Sequence, residues 1–266
     1  MKKIISIVAA LAGAAALFAA NPKNTKANVI TVGATPEPHA EMLNLVKEDM
    51  KALGYELKVI EFTDYVTPNE ALESGEIDAN FFQHLPYMNS FNKEKNFHLV
   101  NAGGIHIEPI ALYSKKVTKL SDLKKGAVIA IPNDPTNEGR ALLLLQEAEL
   151  ITLDPKAGIE ATPLDIKKNP KGLKFKEIEA ATLPRVLIDV DAAVINGNYA
   201  IPAGLVATKD GLFVEGSKSP YVNIISVKKG NENNAAVKAL VKVLQSKKVK
   251  DWVAKRYPNG EVVVVF

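Results

Sequence analysis

Short apolar runs alternate with stretches of helical spacing along nearly the whole chain, and that alternation admits few folds. Residues 29–32 form an apolar run that ends at Gly33-Ala34-Thr35-Pro36. Over residues 37–53, Met42, Leu45, Val46, Met50 and Leu53 recur at helical spacing, and Gly54 stops the segment. The pattern then predicts a strand at 56–62, a short helix at 69–74, a strand at 77–82, a helix at 84–95 and an extended run at 105–113. A second unit of the same kind follows: a buried strand at 127–131, a helix at 137–150, a strand at 173–180, a short helix at 183–188 and a strand at 192–195. Residues 150–172, rich in Lys, Pro and Asp, read as a surface excursion. The chain closes with a strand at 222–227, helices at 234–244 and around 249–257, and a strand at 262–266. This order gives an α/β protein with sheets flanked by helices. Two units plus a tail that returns to the first predict two lobes, 28–112 plus 224–266 and 113–223. Two strands would cross between them, near 111–115 and 222–227, and a ligand would sit in the cleft.

The N-terminus has the layout of a secretory signal peptide over residues 1–20: Lys2 and Lys3, then an apolar run rich in alanine. Cleavage is expected between about 20 and 27; an uncleaved anchor is the alternative. The remaining chain is long enough to bury its own core. The formal charge of +3 falls to about +1 without Lys2 and Lys3, so no nucleic-acid partner is expected. With no cysteine, thiol catalysis, thiolate metal sites and disulfides are excluded. Of 33 basic residues only Arg140, Arg185 and Arg256 are arginine, so each raises the question of what only a planar bidentate donor does there.

The sequence lacks a phosphate loop, Gly-x-Gly-x-x-Gly, His-Glu-x-x-His and Gly-x-Ser-x-Gly, and its four histidines are scattered, so no enzyme, metal site or cofactor is expected. Three strand-to-helix junctions carry polar and aromatic residues instead. Asn80-Phe81-Phe82-Gln83-His84-Leu85-Pro86-Tyr87 either lines a cleft or ends a strand with core phenylalanines. Pro132-Asn133-Asp134-Pro135-Thr136-Asn137-Glu138-Gly139-Arg140 places a guanidinium in the first turn of a helix, which suits a carboxylate, though a surface arginine would look the same. Asp191 through Tyr199 brings Asn196 to a strand end, where a neutral amide serves both an ammonium and a carboxylate. Asn223 and Tyr65 are weaker candidates, and cap or turn roles explain any single asparagine equally well.

These stretches, with Ile30-Thr31-Val32-Gly33-Ala34-Thr35-Pro36 and Leu183-Pro184-Arg185, resemble the NlpA lipoprotein family, the methionine-binding components of bacterial ABC importers. The resemblance runs in order over nearly the whole mature chain. It implies a type II periplasmic-binding-protein fold, two α/β lobes joined by a two-strand hinge. It also implies that Arg140 grips the ligand's carboxylate and that Asn196 and Asn223 hold its amine and carboxylate. Tyr65, Phe82, His84 and Tyr87 would enclose the thioether, and Asn137 would support the Arg140 loop. Arg185 also matches the family, and its place on a short amphipathic helix suggests a structural ion pair.

The implied role is a monomeric, non-enzymatic binding protein that delivers L-methionine to an inner-membrane ABC permease. D-methionine, Gly-Met or another apolar amino acid is the alternative ligand. An exported two-lobed enzyme is the alternative of another class, and an adhesin or antigen role stays open. Family members carry a lipid-attachment cysteine where this chain has Ala19-Ala20-Asn21, so a periplasmic protein without a lipid anchor is expected.

Overall fold

The strands, in chain order, are β1 (Asn28–Ala34), β2 (Tyr55–Glu61), β3 (Ala79–His84), β4 (Leu99–Ile107), β5 (Ala111–Tyr113), β6 (Val128–Pro132), β7 (Thr152–Leu153), β8 (Ile166–Lys168), β9 (Lys174–Ile178), β10 (Ala192–Ile195), β11 (Gly211–Val214), β12 (Asn223–Lys228) and β13 (Val263–Val264). The computed structural model describes residues 28–216 and 219–266; the expected signal peptide lies outside the described residues. The strands form two main sheets and a β7–β8 pair. One sheet has six strands in the order β13-β4-β12-β3-β1-β2, the other five in the order β11-β5-β10-β6-β9.

Each sheet has the same internal logic. In the first, β1 pairs in parallel with β2 and β3, and β12 and β4 add antiparallel strands beyond β3. In the second, β6 pairs in parallel with β9 and β10, and β5 and β11 continue antiparallel. The central strands β3 and β10 are buried at every position; β10 reads as a continuous apolar run, whereas β3 also buries Asn80 and Gln83, which bond to Asn69 and Ser226. In open α/β sheets, ligands bind outside the carboxyl ends of such strands. Here those ends are His84 on β3, Pro132 on β6 and Ile195 on β10.

Helices Ala235–Leu244 and Lys247–Arg256 return to the first sheet, as the tail pattern suggested, and pack Val237, Leu240, Leu244, Val249 and Val253 into its core. A separate core on the second sheet is built around Ile129, Ile131, Leu142, Leu145 and Val194. The chain passes between the sheets at 108–110 and again at 215–222. The expected crossing strands are thus a few residues off. β5 belongs wholly to the second sheet and β12 to the first, and the first crossing is a short irregular segment. Pro109 has no N–H to give a ladder, which ends pairing between Ile107 and Ala111.

The expected helix over 37–53 is broken. Glu37 is extended (φ −118°, ψ 136°), since the residue before Pro38 is pushed from helical geometry. Helices Glu41–Leu45 and Lys47–Ala52 then meet at Val46 (φ −99°, ψ 5°), and Met42, Val46 and Met50 still share one buried face. Three features escaped the sequence pattern: the front half of β4, the strand β11, and the β7–β8 pair inside the 150–172 excursion. The β4 segment contains Gly103, where a Cβ would lie 2.5 Å from Val241 Cγ1. Helix Ala235–Leu244 crosses there too closely for a side chain, so the strand is written with residues of low strand propensity.

Candidate ligand-binding site

All eight residues singled out from the sequence line one cavity between the sheets: Tyr65, Phe82, His84, Tyr87, Asn137, Arg140, Asn196 and Asn223. Its empty space is about 330 Å³. The first sheet contributes Phe82 and His84 from the end of β3 and Asn223 from the start of β12. The second contributes Asn196 just past β10, and the helix Pro135–Glu147 contributes Asn137 and Arg140.

The aromatic side is built from Tyr65, Phe82 and Tyr87, with ring centroids 5.8–6.1 Å apart. Their polar tips are already used: the Tyr87 hydroxyl donates to the Tyr65 carbonyl at 2.8 Å and the Tyr65 hydroxyl to Asn198 Oδ1 at 2.5 Å. His84 caps the helix Leu85–Lys95, its Nδ1 accepting from the Tyr87 N–H at 3.1 Å, so its Nε2 carries the proton that faces Asn137 Oδ1. Burial, with the Arg140 charge second, depresses this imidazole to about 3, so it is neutral at physiological pH. The polar atoms of His84 and Tyr87 therefore point into the protein, and the rings present apolar surface.

The orientation of each amide follows from its partners. Asp134 caps the helix Pro135–Glu147 and accepts from both the backbone N–H and the side-chain Nδ2 of Asn137. A carboxylate only accepts, so Asn137 must turn Oδ1 the other way, toward His84 and Asn196. Asn196 answers with Nδ2 at 2.8 Å, which turns its own Oδ1 to the cavity, buried and without a partner among the described residues. Asn137 has no capacity left for a ligand; it locks two residues that do face the cavity. Asn198, which sequence reading did not select, accepts from Tyr65 and leaves a buried Nδ2 unpartnered among the described residues. Asn223 Oδ1 accepts from His39 Nε2 at 3.1 Å, which frees its Nδ2.

Arg140 is 4% exposed and is not the bare guanidinium that sequence reading pictures. Nε donates to Glu215 at 2.8 Å, and Nη2 donates both to the other Glu215 oxygen and, at 2.9 Å, to the Glu108 carbonyl. The guanidinium carbon sits 4.3 Å from the Tyr221 ring centre. These partners fix the fork and leave Nη1 for a further acceptor. Arg185, by contrast, is exposed and joins no salt bridge among the described residues, which corrects the expected ion pair. Arg256 pairs with Glu37 and Glu41 on the first sheet's helices.

At the cavity wall, Glu108 Oε1 accepts from His106 Nε2 at 2.7 Å and lies 3.3 Å from His39 Nε2. Two imidazoles and a carboxylate, with ligand atoms within 4.8 Å of one another, form the one group of metal-ligand type among the described residues. The 2.7 Å contact is a hydrogen bond, tighter than two ligands bonded at roughly 2.0–2.1 Å to one zinc would stand. Burial holds His39 at about 4 and His106 at about 3 and pushes the Glu108 carboxyl up. Glu108, His39, Glu215 and Tyr221 all escaped sequence reading. For Glu108 a signal existed, a lone charge inside the apolar run Ile105 to Tyr113.

The family model described as NlpA lipoprotein matches residues 30–266. The chain belongs to the NlpA lipoprotein family. Among relatives, the Treponema pallidum membrane lipoprotein TpN32 is 48% identical over 89% of this chain and 88% of its own length. The D-methionine-binding lipoprotein MetQ of Escherichia coli is 43% identical over 98% of this chain and 97% of its own. A solved nutrient-binding protein from Burkholderia cenocepacia, bound to methionine, superposes with a TM-score of 0.87 at 49% identity, covering 89% of this chain and all of that one. The names thus describe a membrane lipoprotein, a D-methionine-binding lipoprotein and a nutrient-binding protein. They also overturn the expectation of a protein without a lipid anchor: its exported relatives are named membrane or binding lipoproteins. The expectation rested on one missing cysteine, which closes one chemical route and does not fix where a protein resides.

Proposed function

We propose that this NlpA protein is the substrate-binding component of an ABC importer and that its cavity takes one free amino acid of the methionine class. The observation that carries this reading is the polarity of the cavity. On the polar side, Arg140 Nη1, Asn198 Nδ2 and Asn223 Nδ2 are donors left for a carboxylate, and Asn196 Oδ1 is an acceptor left for an ammonium. On the other side Tyr65, Phe82, His84 and Tyr87 offer an apolar slot to an unbranched side chain. Asn137 positions His84 and Asn196. The protein binds its ligand and does not transform it, acts as a monomer, and hands the ligand to a membrane permease from the closed state.

The test is a calorimetric titration of unfolded, ligand-stripped and refolded protein. Sub-micromolar binding of L-methionine, weaker or equal binding of D-methionine and much weaker binding of Gly-Met are expected. A folded, empty protein that ignores both methionine isomers would contradict the reading.

A further inference from the structure

Lysine is spread unevenly over this molecule, which the near balance of its total charge conceals. Residues 115–126 and 167–176 together hold ten lysines and one acid, Asp122, whereas the rest of the chain has 23 basic and 29 acidic residues. The two segments come together in space. Residues 115–126 join the carboxyl end of β5 to the amino end of β6, and the turn before β9 lies beside them, at the end of the second sheet away from the cavity. The Gly126 N–H donates to the Lys171 carbonyl at 2.8 Å, and Lys171 Nζ donates to the carbonyls of Leu120, Ser121 and Leu123 at 2.7–3.2 Å. One lysine thus ties the segments into a single surface, and the other nine are exposed on it.

Little at this end compensates their charge. Lys116 lies 3.5 Å from Asp191, whose carboxylate also feels Lys124, and Lys167 lies 3.0 Å from Asp154. Lys115, Lys119, Lys125, Lys168 and Lys174 join no salt bridge among the described residues. The helix Lys247–Arg256 on the first sheet is also basic, but there Lys247 pairs with Asp251, Lys248 with Asp49, and Arg256 with Glu37 and Glu41. Lysines on an edge strand such as β9 guard it against pairing with another chain, which accounts for Lys174 and Lys176. It does not account for the five lysines of 115–126, a segment without a strand. Like charges gathered on one surface repel, and an anionic partner relieves that repulsion.

We propose that this end of the second sheet is a docking surface for an anionic lipid bilayer. Composition separates a bilayer from other polyanions. All ten residues are lysine and none is arginine, so nothing here offers the planar fork that picks out single phosphates or base edges. Phe175, the one aromatic residue in the two segments, packs on the second core, which leaves no ring for a nucleic-acid base to stack on. Compact point charges on flexible stems suit a field of many equivalent headgroups. The surface lies at the far end of the sheet from the cavity, so the contact does not depend on what the cavity holds.

The test is co-sedimentation of residues 28–266, which hold both sheets and both cores, with vesicles of phosphatidylglycerol or of phosphatidylcholine. The protein should partition onto phosphatidylglycerol and not onto phosphatidylcholine at about 0.05 M salt, and come off at about 0.5 M. Lys125→Gln with Lys174→Gln should lower the partition coefficient about 30-fold, roughly five-fold for each lysine. Lys115→Gln with Lys168→Gln should do the same and serves if the first variant folds poorly. Lys250→Gln with Lys255→Gln removes the same net charge from the first sheet's helix and should change it by less than about 3-fold. Equal losses in the two regions would show an effect of net charge alone and overturn the proposal. So would binding indifferent to lipid charge, or a single-stranded oligonucleotide that displaces the protein from the vesicles and binds more tightly at the same salt.

Discussion

Arg140 does three things at once: it closes a bidentate pair with Glu215, tethers the Glu108 carbonyl and keeps one nitrogen free. Removing it leaves a nearly buried Glu215 unpaired as well as deleting a ligand contact. Arg140→Ala should therefore weaken methionine binding by about 2–5 kcal/mol, and Arg140→Lys should recover little, because a point charge does not reproduce the fork. Calorimetric affinities of the two variants decide this; a lysine variant that binds like the parent would show that charge alone suffices. At this scale the sequence was legible where composition made a residue conspicuous. Arginine is rare here, so Arg140 drew notice, and so did asparagines and aromatics at strand ends. Glu215, Tyr221 and His39 gave no such signal, because their roles depend on contacts 75 to 184 residues away in the chain. Asn198 was passed over because nothing local distinguishes an amide with an unpartnered donor from one that caps a turn.

Among the elements, the helix Pro135–Glu147 carries the most of the site, and its position depends on one cap. Asp134 accepts from the Asn137 N–H and clamps the Asn137 amide, which in turn orients His84 and Asn196. Asp134→Ala should cost about 1 kcal/mol of stability as a lost cap. It should also weaken methionine binding, although Asp134 does not line the cavity. Melting temperature and affinity measured together separate these effects; a variant that loses stability but keeps full affinity would sink the proposed relay through Asn137. Buried central strands were the easiest elements to read, and β10 falls on the expected residues because four consecutive apolar residues between polar ones allow little else. Edges were harder. β11 is a half-exposed edge strand, and the glycines of β4 record the close approach of a distant helix, which no local pattern reveals.

For the molecule as a whole, two sheets with separate cores meet at one cavity, and the acid response records how that junction is buried. His84 and His106 are held near 3 and His39 near 4, each chiefly by burial, against 6.5 for a free imidazole. A lowered histidine stabilises the fold above its unfolded pKa, and that contribution is lost as pH falls from about 6.5 toward the folded value. The carboxyls of Glu108, Asp134 and Glu138, raised by burial, bind native-state protons and reduce the net slope. The clean prediction is thus a difference: His106→Gln should flatten the fall in stability between pH 6.5 and 4 by up to ~1.4 kcal/mol per pH unit. Chemical denaturation at several pH values measures it, and an unchanged slope would mean that His106 is not buried neutral. The two-lobed arrangement was visible in the repeated strand and helix order. The crossings were misplaced by a few residues, since an extended run and a strand look alike until its pairing partners are known.

The most direct measurement is a crystal structure of the stripped protein rebound to L-selenomethionine, located by its anomalous signal. The selenium should lie among Tyr65, Phe82 and Tyr87, the carboxylate at Arg140 Nη1 and Asn223, and the ammonium at Asn196 Oδ1. Selenium outside this cavity, or a ligand reversed with its ammonium toward Arg140, would contradict the polarity on which the proposed function rests.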